Sequence, residues 1–263
     1  MLSRSITEIV MIGAGSLANH LGSALVSSGL NVVQVVNRTP AKGNRLAKRL
    51  GAVFTNDYKE ICQNADLYII AITDQAIPEV AGLLCLPGKL VVHTSGSLGM
   101  DSLKSISSET GVFYPLQTFP KHGKLNFRKI PLCLEASSQA NFHHLAELAG
   151  RISDTVINLG SNDRKLLHLT AVFASNFTNF MFSVSQDLLK RHNIDFNLLR
   201  PLIAQTVKNV RKEDAFKLQT GPAVREDTTI MQEHLRLLSD NPDYRDIYKV
   251  ISDSIIKYKK RNG

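Results

Sequence analysis

An apolar run from Ile9 to Ile12 passes directly into Gly13-Ala-Gly15-Ser-Leu-Ala18, and a helix-period pattern follows from Leu17 to Ser28. A buried strand that must become a helix within so few residues leaves few folds open. Gly13 permits the tight turn, Gly15 lets the backbone approach a ligand, and Ala18 keeps the helix close to the strand. The helix start offers unpaired N–H groups and a positive dipole end, which suit phosphate. A glycine turn that binds nothing is the plainer reading. The strand-to-helix setting favours a dinucleotide pyrophosphate held at Gly13, Gly15, Ser16, Leu17 and Ala18.

The surrounding pattern supports an α/β domain. Short β-rich runs at 8–12, 31–36, 52–54, 67–72, 90–93, 112–114, 132–135 and 155–158 alternate with helix-like stretches, the first of them at 17–28 and 40–50. Near Gly160 strand signal gives way to helical patterns that continue to the C-terminus. The expected fold is a doubly wound Rossmann domain over residues 1–159 followed by a smaller all-helical domain over 160–263. The second domain is small for an independent core, which points to packing against other surfaces.

The end of the second strand bears on the cofactor. NAD sites place Asp or Glu there to hold ribose hydroxyls, whereas this chain reads Asn37-Arg38-Thr39-Pro40. Arg38 supplies a donor fork suited to a 2′-phosphate, and Thr39 with Pro40 suits a helix start. NADP is therefore expected over NAD, with Asn37, Arg38 and Thr39 around its ribose. Ligands of open α/β sheets bind outside the carboxyl ends of the strands. Thr73 and Asp74, Ser95 in His93-Thr-Ser-Gly96, and Gln117 in Tyr114-Pro-Leu-Gln117 fall there. Thr73, Asp74 and Ser95 are assigned to the cofactor and Gln117 to substrate; Asp74 also reads as a plain helix cap.

From Asp163 to Leu189 a single helix is expected. On it Lys165, His168, Ser175, Asn176, Asn179, Ser183 and Gln186 fall within an arc of about 100°. A solvent face would carry Lys and Glu; this stripe is mostly Asn, Ser, Gln and His. His168, Lys165 and Asn176 are the candidate catalytic residues, His168 first, with Asn179 toward substrate. A buried structural network in a helical dimer explains the same stripe. In Thr220-Gly-Pro-Ala-Val-Arg225, Gly-Pro marks a turn. Arg225 then falls in a first helical turn, against the dipole, and is a candidate partner for Asp227, a carboxylate substrate or a phosphate.

Bulk properties narrow the classes. The chain of 263 residues is 43% hydrophobic and 21% charged, as soluble globular domains are. Its formal net charge of +8 is scattered rather than gathered on a nucleic-acid motif. The densest basic group, Lys257 to Arg261, reads as a solvated tail. No nucleic-acid or membrane partner is expected. Cys62, Cys85 and Cys133 lack metal-ligand spacing and read as reduced, buried thiols; no metal site is expected. These features suit a cytoplasmic protein.

With these motifs assembled, the chain resembles a Rossmann-like family of NADP oxidoreductases whose helical C-terminal domain has no known function. That family is related to deazaflavin-dependent NADP reductases and pyrroline-5-carboxylate reductases. The resemblance spans nearly the whole chain. It rests on Gly13-Ala-Gly15-Ser16-Leu17-Ala18, His93-Thr-Ser-Gly96, Tyr114-Pro-Leu-Gln-Thr-Phe119, His168 with Ala174-Ser-Asn-Phe177, and Thr220-Gly-Pro-Ala-Val-Arg225. It implies a cofactor domain, a helical domain and a homodimer formed through that helical domain. It supplies no substrate. The chain lacks the Gly-Ser-Gly-Pro-Ala-Tyr-like run of a pyrroline-5-carboxylate reductase. It also lacks the Gly-x-Gly-x-x-x-Lys helix of β-hydroxyacid dehydrogenases, of which Ser161 to Lys165 is a partial echo.

The leading expectation is hydride transfer between NADPH and a small carbonyl, imine or hydroxy-acid substrate. The alternative is a non-catalytic NADP sensor, which needs no proton donor beside the nicotinamide.

Overall fold

A computed structural model describes residues 6–121, 123 and 125–262. The chain forms two compact units, Met1–Asn176 and Phe177–Gly263. The expected partition at 159/160 falls between the last strand and the first helix of the helical run.

The first unit is built on a sheet that has eight strands among the described residues: β1 (Glu8–Ile12), β2 (Asn31–Val36), β3 (Val53–Thr55), β4 (Leu67–Ile70), β5 (Leu90–His93), β6 (Thr110–Pro115), β7 (Leu132–Ala136) and β8 (Val156–Asn158). Their order is β3-β2-β1-β4-β5-β6-β7-β8. The first six run parallel, β7 is antiparallel to β6, and β8 is parallel to β7. The order reverses between β1 and β4, which places the crevice of a doubly wound sheet at their carboxyl ends.

Burial on both faces explains the near-continuous apolar strands. Helices α1 (Ser16–Ser27), α2 (Pro40–Leu50) and α4 (Gln139–Gly150) contribute Leu21, Leu25, Leu46, Leu145 and Leu148 to one core. Helix α3 (Ile77–Leu83) packs Ile77 and Val80 on the opposite face against Val10, Ile12 and Tyr68. Gly22 lets α1 and α2 close up, since a Cβ there would lie 2.7 Å from Leu50 Cδ1.

The expected helix over 163–189 is interrupted. Helix α5 (Ser161–Ala171) passes into a π-helical turn over Val172–Phe177 before α6 (Thr178–Arg191). Each π residue turns through less than 100°, so the stripe drawn at a constant α-helical angle is not one continuous face.

The second unit holds the rest of that run together with α7 (Arg200–Val210), α8 (Pro222–Arg225), α9 (Thr228–Leu237) and α10 (Pro242–Asn262). It buries few side chains; Ala223, Leu238 and Ser252 are its buried residues among those described. Of the three cysteines, Cys133 is buried as expected, Cys62 is half-buried and Cys85 is exposed, because it follows α3 in a surface loop. No helix among the described residues is long and apolar enough to cross a membrane. Nor do the described residues gather a metal-binding group of His, Cys, Asp or Glu.

One ion pair ties α5 to the sheet. Arg164 is fully buried and forms a short charge-assisted bond to Glu135 of β7. It also donates to the Leu98 carbonyl at 2.5 Å and to Ser161 Oγ at 3.1 Å, while Ser161 Oγ donates to Glu135 at 2.8 Å. Replacing Glu135 by Leu strands a buried guanidinium and is expected to cost about 3–5 kcal/mol. The double change Glu135→Leu/Arg164→Met is expected to recover much of that loss, measured as urea unfolding midpoints.

Candidate functional site

The glycine turn is held by three strands. Gly13 has φ +116°, and its N–H donates to the Val36 carbonyl of β2 at 2.8 Å. A Cβ there would sit 2.3 Å from the carbonyl oxygen of Ala71, just beyond β4. Gly15 differs. Its backbone is extended, with φ −75° and ψ −177°, and a Cβ would meet nothing within 4 Å. Gly15 therefore leaves open space directly before α1. That helix carries no side-chain cap and no acidic residue in its first turn, so the N–H groups around Ser16 and Leu17 remain for an anion. Ala18 is fully buried beneath them.

Asn19 sets the outward face of this turn. Its amide donates to the Gly15 carbonyl at 2.9 Å and the Ala14 carbonyl at 3.3 Å. Arg49 of α2 donates to Asn19 Oδ1 at 2.9 Å, which fixes which end of the amide is oxygen. With those carbonyls tied back toward Asn19, the turn keeps N–H groups available to an anion.

At the end of β2, the Asn37 N–H donates to the Thr55 carbonyl at 3.1 Å and its amide to the Thr39 carbonyl at 2.8 Å. Arg38 and Thr39 are exposed. Thr39 occupies the N-cap of α2 with Pro40 next, as expected, but its hydroxyl makes no cap bond. That hydroxyl and the Arg38 guanidinium suit a ribose phosphate, and no carboxylate lies between Val36 and Leu50.

The loops after β4 and β5 form one network. Thr73 occupies the N-cap position of the 3₁₀ turn Asp74–Ala76 without a side-chain cap bond, so Asp74 is not the cap. Its carboxylate accepts a short hydrogen bond from Ser97 Oγ. Ser95 Oγ accepts the N–H groups of Ser97 at 3.1 Å and Leu98 at 3.0 Å, so this hydroxyl organises the loop. His93 is buried, and its Nδ1 accepts the Ser95 N–H at 3.2 Å while Nε2 faces the Gly99 carbonyl at 3.3 Å. Those partners require the neutral Nε2–H form. Burial lowers its pKa to about 4.

The loop following β5 meets β6 and α5 at Gly96. A Cβ there would lie 2.6 Å from His168 Nδ1 and 2.9 Å from Tyr114 Cζ, so Gly96 admits both rings. The Tyr114 hydroxyl lies 3.1 Å from His168 Nδ1. Burial pushes the Tyr114 phenol up to about 12, so it keeps its proton near neutrality. His168 is half-buried.

Lys165 is exposed on α5, and Asn176 is exposed in the π turn. Gln117 is exposed and accepts the Thr118 N–H at 2.8 Å, while Thr118 Oγ1 contacts Ser175 Oγ at 3.2 Å. Asn179 and Arg225 belong to the second unit. Arg225 does not sit in the first turn of a continuing helix. Helix α8 ends on it, Glu226 takes φ +54°, and Asp227 instead caps α9 by accepting the Ile230 N–H. A helix of one turn sums little dipole, which removes the conflict read from the sequence.

Tyr114 is not among the residues expected at the site, although it lies three positions before Gln117 in the same run. Tyrosine at the end of a buried strand reads as core; the glycine at position 96 opposite it is the trace of its ring.

Comparison with known proteins now adds to this geometry. Residues 8–96 match the family model described as NADP oxidoreductase, coenzyme F420-dependent. Residues 130–255 match a domain of unknown function, DUF2520. A crystal structure named "putative NADP oxidoreductase BF3122", from Bacteroides fragilis, is 40% identical, with TM-score 0.90, covering 96% of this chain and 98% of that one. The chain belongs to this NADP oxidoreductase family. Protein TM1727 from Thermotoga maritima shares the fold at 21% identity and TM-score 0.72, covering 96% of this chain and 98% of its own. So does an imine reductase from Myxococcus stipitatus in complex with NADP+, at 20% identity and TM-score 0.61, covering 97% and 93%. No curated protein matches the sequence.

Gly15→Ala is expected to melt within about 1 kcal/mol of the parent, because its backbone is unstrained and its Cβ meets open space, yet to lose NADPH binding. Gly13→Ala is expected to destabilise the fold itself by more than about 2 kcal/mol, since left-handed strain and the Ala71 carbonyl act together. Calorimetric melting with and without NADPH separates the two.

His93 gives a pH dependence. The unfolded imidazole binds a proton below about 6.5 and the folded one only below about 4. Stability from this residue is complete above pH 6.5 and is lost as pH falls toward 4, by roughly 3 kcal/mol in all. His93→Gln is expected to flatten that part of the stability profile.

Proposed function

We propose that this protein is an NADPH-dependent reductase of a small carbonyl or imine, able in reverse to oxidise the matching hydroxy compound. The observation that carries the reading is the His168–Tyr114 pair packed on Gly96, at the carboxyl edge of the sheet that carries the Gly13–Ala18 turn. The imine reductase that shares the fold was solved with NADP+, which supports the cofactor part of this reading.

Gly13, Gly15, Ser16, Leu17 and Ala18 would hold the pyrophosphate, with Asn37, Arg38 and Thr39 at the ribose phosphate. Thr73, Asp74 and Ser95 line the next strand ends. Bound NADPH supplies a hydride to the substrate carbon. The chain supplies the proton. The Tyr114 hydroxyl occupies His168 Nδ1, which leaves Nε2 as the ring nitrogen that exchanges a proton with the substrate oxygen or nitrogen. Lys165 and Asn176 are secondary candidates for this role, and Gln117, Asn179 and Arg225 for substrate polar groups.

The same reading assigns cofactor binding to residues 1–159 and substrate binding and pairing to 160–263. Helices α6, α7 and α9 bury no residue fully, and Leu198, Leu202, Val210 and Leu237 are more than half exposed. A second copy of the chain is the proposed cover. Light scattering is then expected to give about twice the 29.0 kDa chain mass.

The test begins with NADPH and NADH titrated side by side in thermal melts. At 100 times its dissociation constant, NADPH should stabilise the fold by about 2.7 kcal/mol, a midpoint shift on the order of 5–10 °C. NADH should shift it little, and Arg38→Ala should narrow the difference. His168→Ala should then keep the NADPH shift while lowering kcat by about 10²–10⁴ on a cyclic imine or ketone substrate. Tyr114→Phe should lower kcat by about tenfold with KM little changed. Equal turnover in His168→Ala would remove the imidazole from the chemistry, and no shift with either nucleotide would overturn the cofactor assignment.

A further inference from the structure

The outer face of α1 borders a groove whose near end is the cofactor turn itself, at Ala14, Gly15 and Ser16, and whose remaining length the oxidoreductase reading does not use. The groove encloses about 1360 Å³ and begins beside Gly15 and Ser16. Its floor is the solvent side of α1, with Ser23, Ala24 and Ser27, and α1 carries no Lys, Arg, Asp or Glu at all. Its sides carry six cations, Lys42, Arg45, Arg49, Lys121, Arg128 and Arg151, and no carboxylate among the described lining residues. Solvent-exposed faces normally intersperse both signs.

The imbalance is written into a long stretch of chain. From Ile9 to Asn56 there are five cations and no Asp or Glu. Three of the groove's arginines also have internal partners. Arg49 bonds Asn19, Arg151 donates to the Ser28 carbonyl at the end of α1, and Arg128 pairs with Asp154 at 3.2 Å. Each guanidinium has five N–H donors, so these contacts hold the forks in place and leave others to face the groove. The cations stand along a helix of 12 residues, about 18 Å. A single compact anion cannot engage cations spread over that length.

We propose that the part of this groove beyond the cofactor turn, between Arg45, Arg128 and Arg151, is a second anion site that takes a multiply phosphorylated small molecule. Arginine forks match phosphate oxygens in pairs, and the exposed Ser27 hydroxyl supplies a neutral donor on the floor, the Ser23 hydroxyl being donated to the Asn19 carbonyl at 2.7 Å. A single-stranded nucleic acid fits less well, because base binding needs exposed aromatic platforms. The aromatic rings in the groove are His20, which contacts the Pro120 carbonyl, and Phe127, which is buried.

The test is calorimetric titration of the full chain with inorganic tripolyphosphate, with and without saturating NADP+. Saturable binding that persists with NADP+ present is expected. Arg45→Gln should weaken it several-fold, and Arg45→Gln/Arg151→Gln at least about tenfold, without loss of the NADP+ melting shift. Arg45 sits on the solvent side of α2, so the single variant decides the matter if the double variant folds poorly. Lys257→Gln/Arg261→Gln removes the same charge from α10 and should leave binding unchanged. Equal weakening by that control would reduce the effect to diffuse charge and overturn the site. Loss of binding when NADP+ is added would place the anion on the cofactor turn instead. Tighter binding of oligothymidylate than of tripolyphosphate, lost in the same groove variants, would make the ligand a nucleic acid and overturn the small-molecule assignment.

Discussion

The convergence of three strands on Gly13 is the constraint from which the rest of the first unit follows. Its N–H closes onto Val36 at the end of β2, and its absent side chain is the space taken by the Ala71 carbonyl beyond β4. Parallel strands joined by helices have no short turn to fix their relative height. Here the backbone contacts at one residue set β1, β2 and β4 level, which brings their carboxyl ends to a common rim. The position of α1 is then determined, because Ala18 is buried three residues after Gly15. Fold and anion cradle thus share a residue but separate at the next glycine. Gly13 is closed by protein, and Gly15 is open to a ligand.

A second constraint acts at the far edge. β7 reverses direction, so Glu135 and the buried Arg164 face each other across a 29-residue interval. A fully buried guanidinium is costly unless paired. Once paired, it holds the start of α5 against the Leu98 carbonyl and orients His168 one helical turn further on. The Tyr114–His168 contact therefore depends on a charge pair that touches neither ring. The His93 loop works in the same way, spending its polar groups on itself so that Gly96 keeps its place.

Much of this was legible in the sequence because it is periodic or local. The strands at 8–12, 31–36 and 90–93 have the expected bounds, and α2 begins at Pro40. The family motifs likewise pointed to an NADP oxidoreductase with a helical C-terminal region. The π turn at 172–177 was not legible, since an apolar run with Ala, Phe and Val satisfies an α-helical period equally well. Arg225 does fall in a first helical turn, but that helix ends there, because Glu226 adopts a left-handed backbone that its residue type does not advertise. Partners such as Ser97 with Asp74, or Tyr114 with His168, lie 23 and 54 residues apart and carry no spacing rule.

Charge links these parts. A stretch from Ile9 to Asn56 without a carboxylate places the helix start of α1, the Arg38 corner and the cationic groove in one positive field. Like charges held together oppose folding, and water and salt screen that repulsion incompletely at short range. Keeping acids out of the whole interval therefore has a cost in the free protein that any bound phosphate offsets. Anion binding and stability are coupled through the same residues. For that reason these cations are better understood together: Arg38 stands at the proposed ribose corner after β2, and Arg45 and Arg151 extend the same field along the helix that the turn begins.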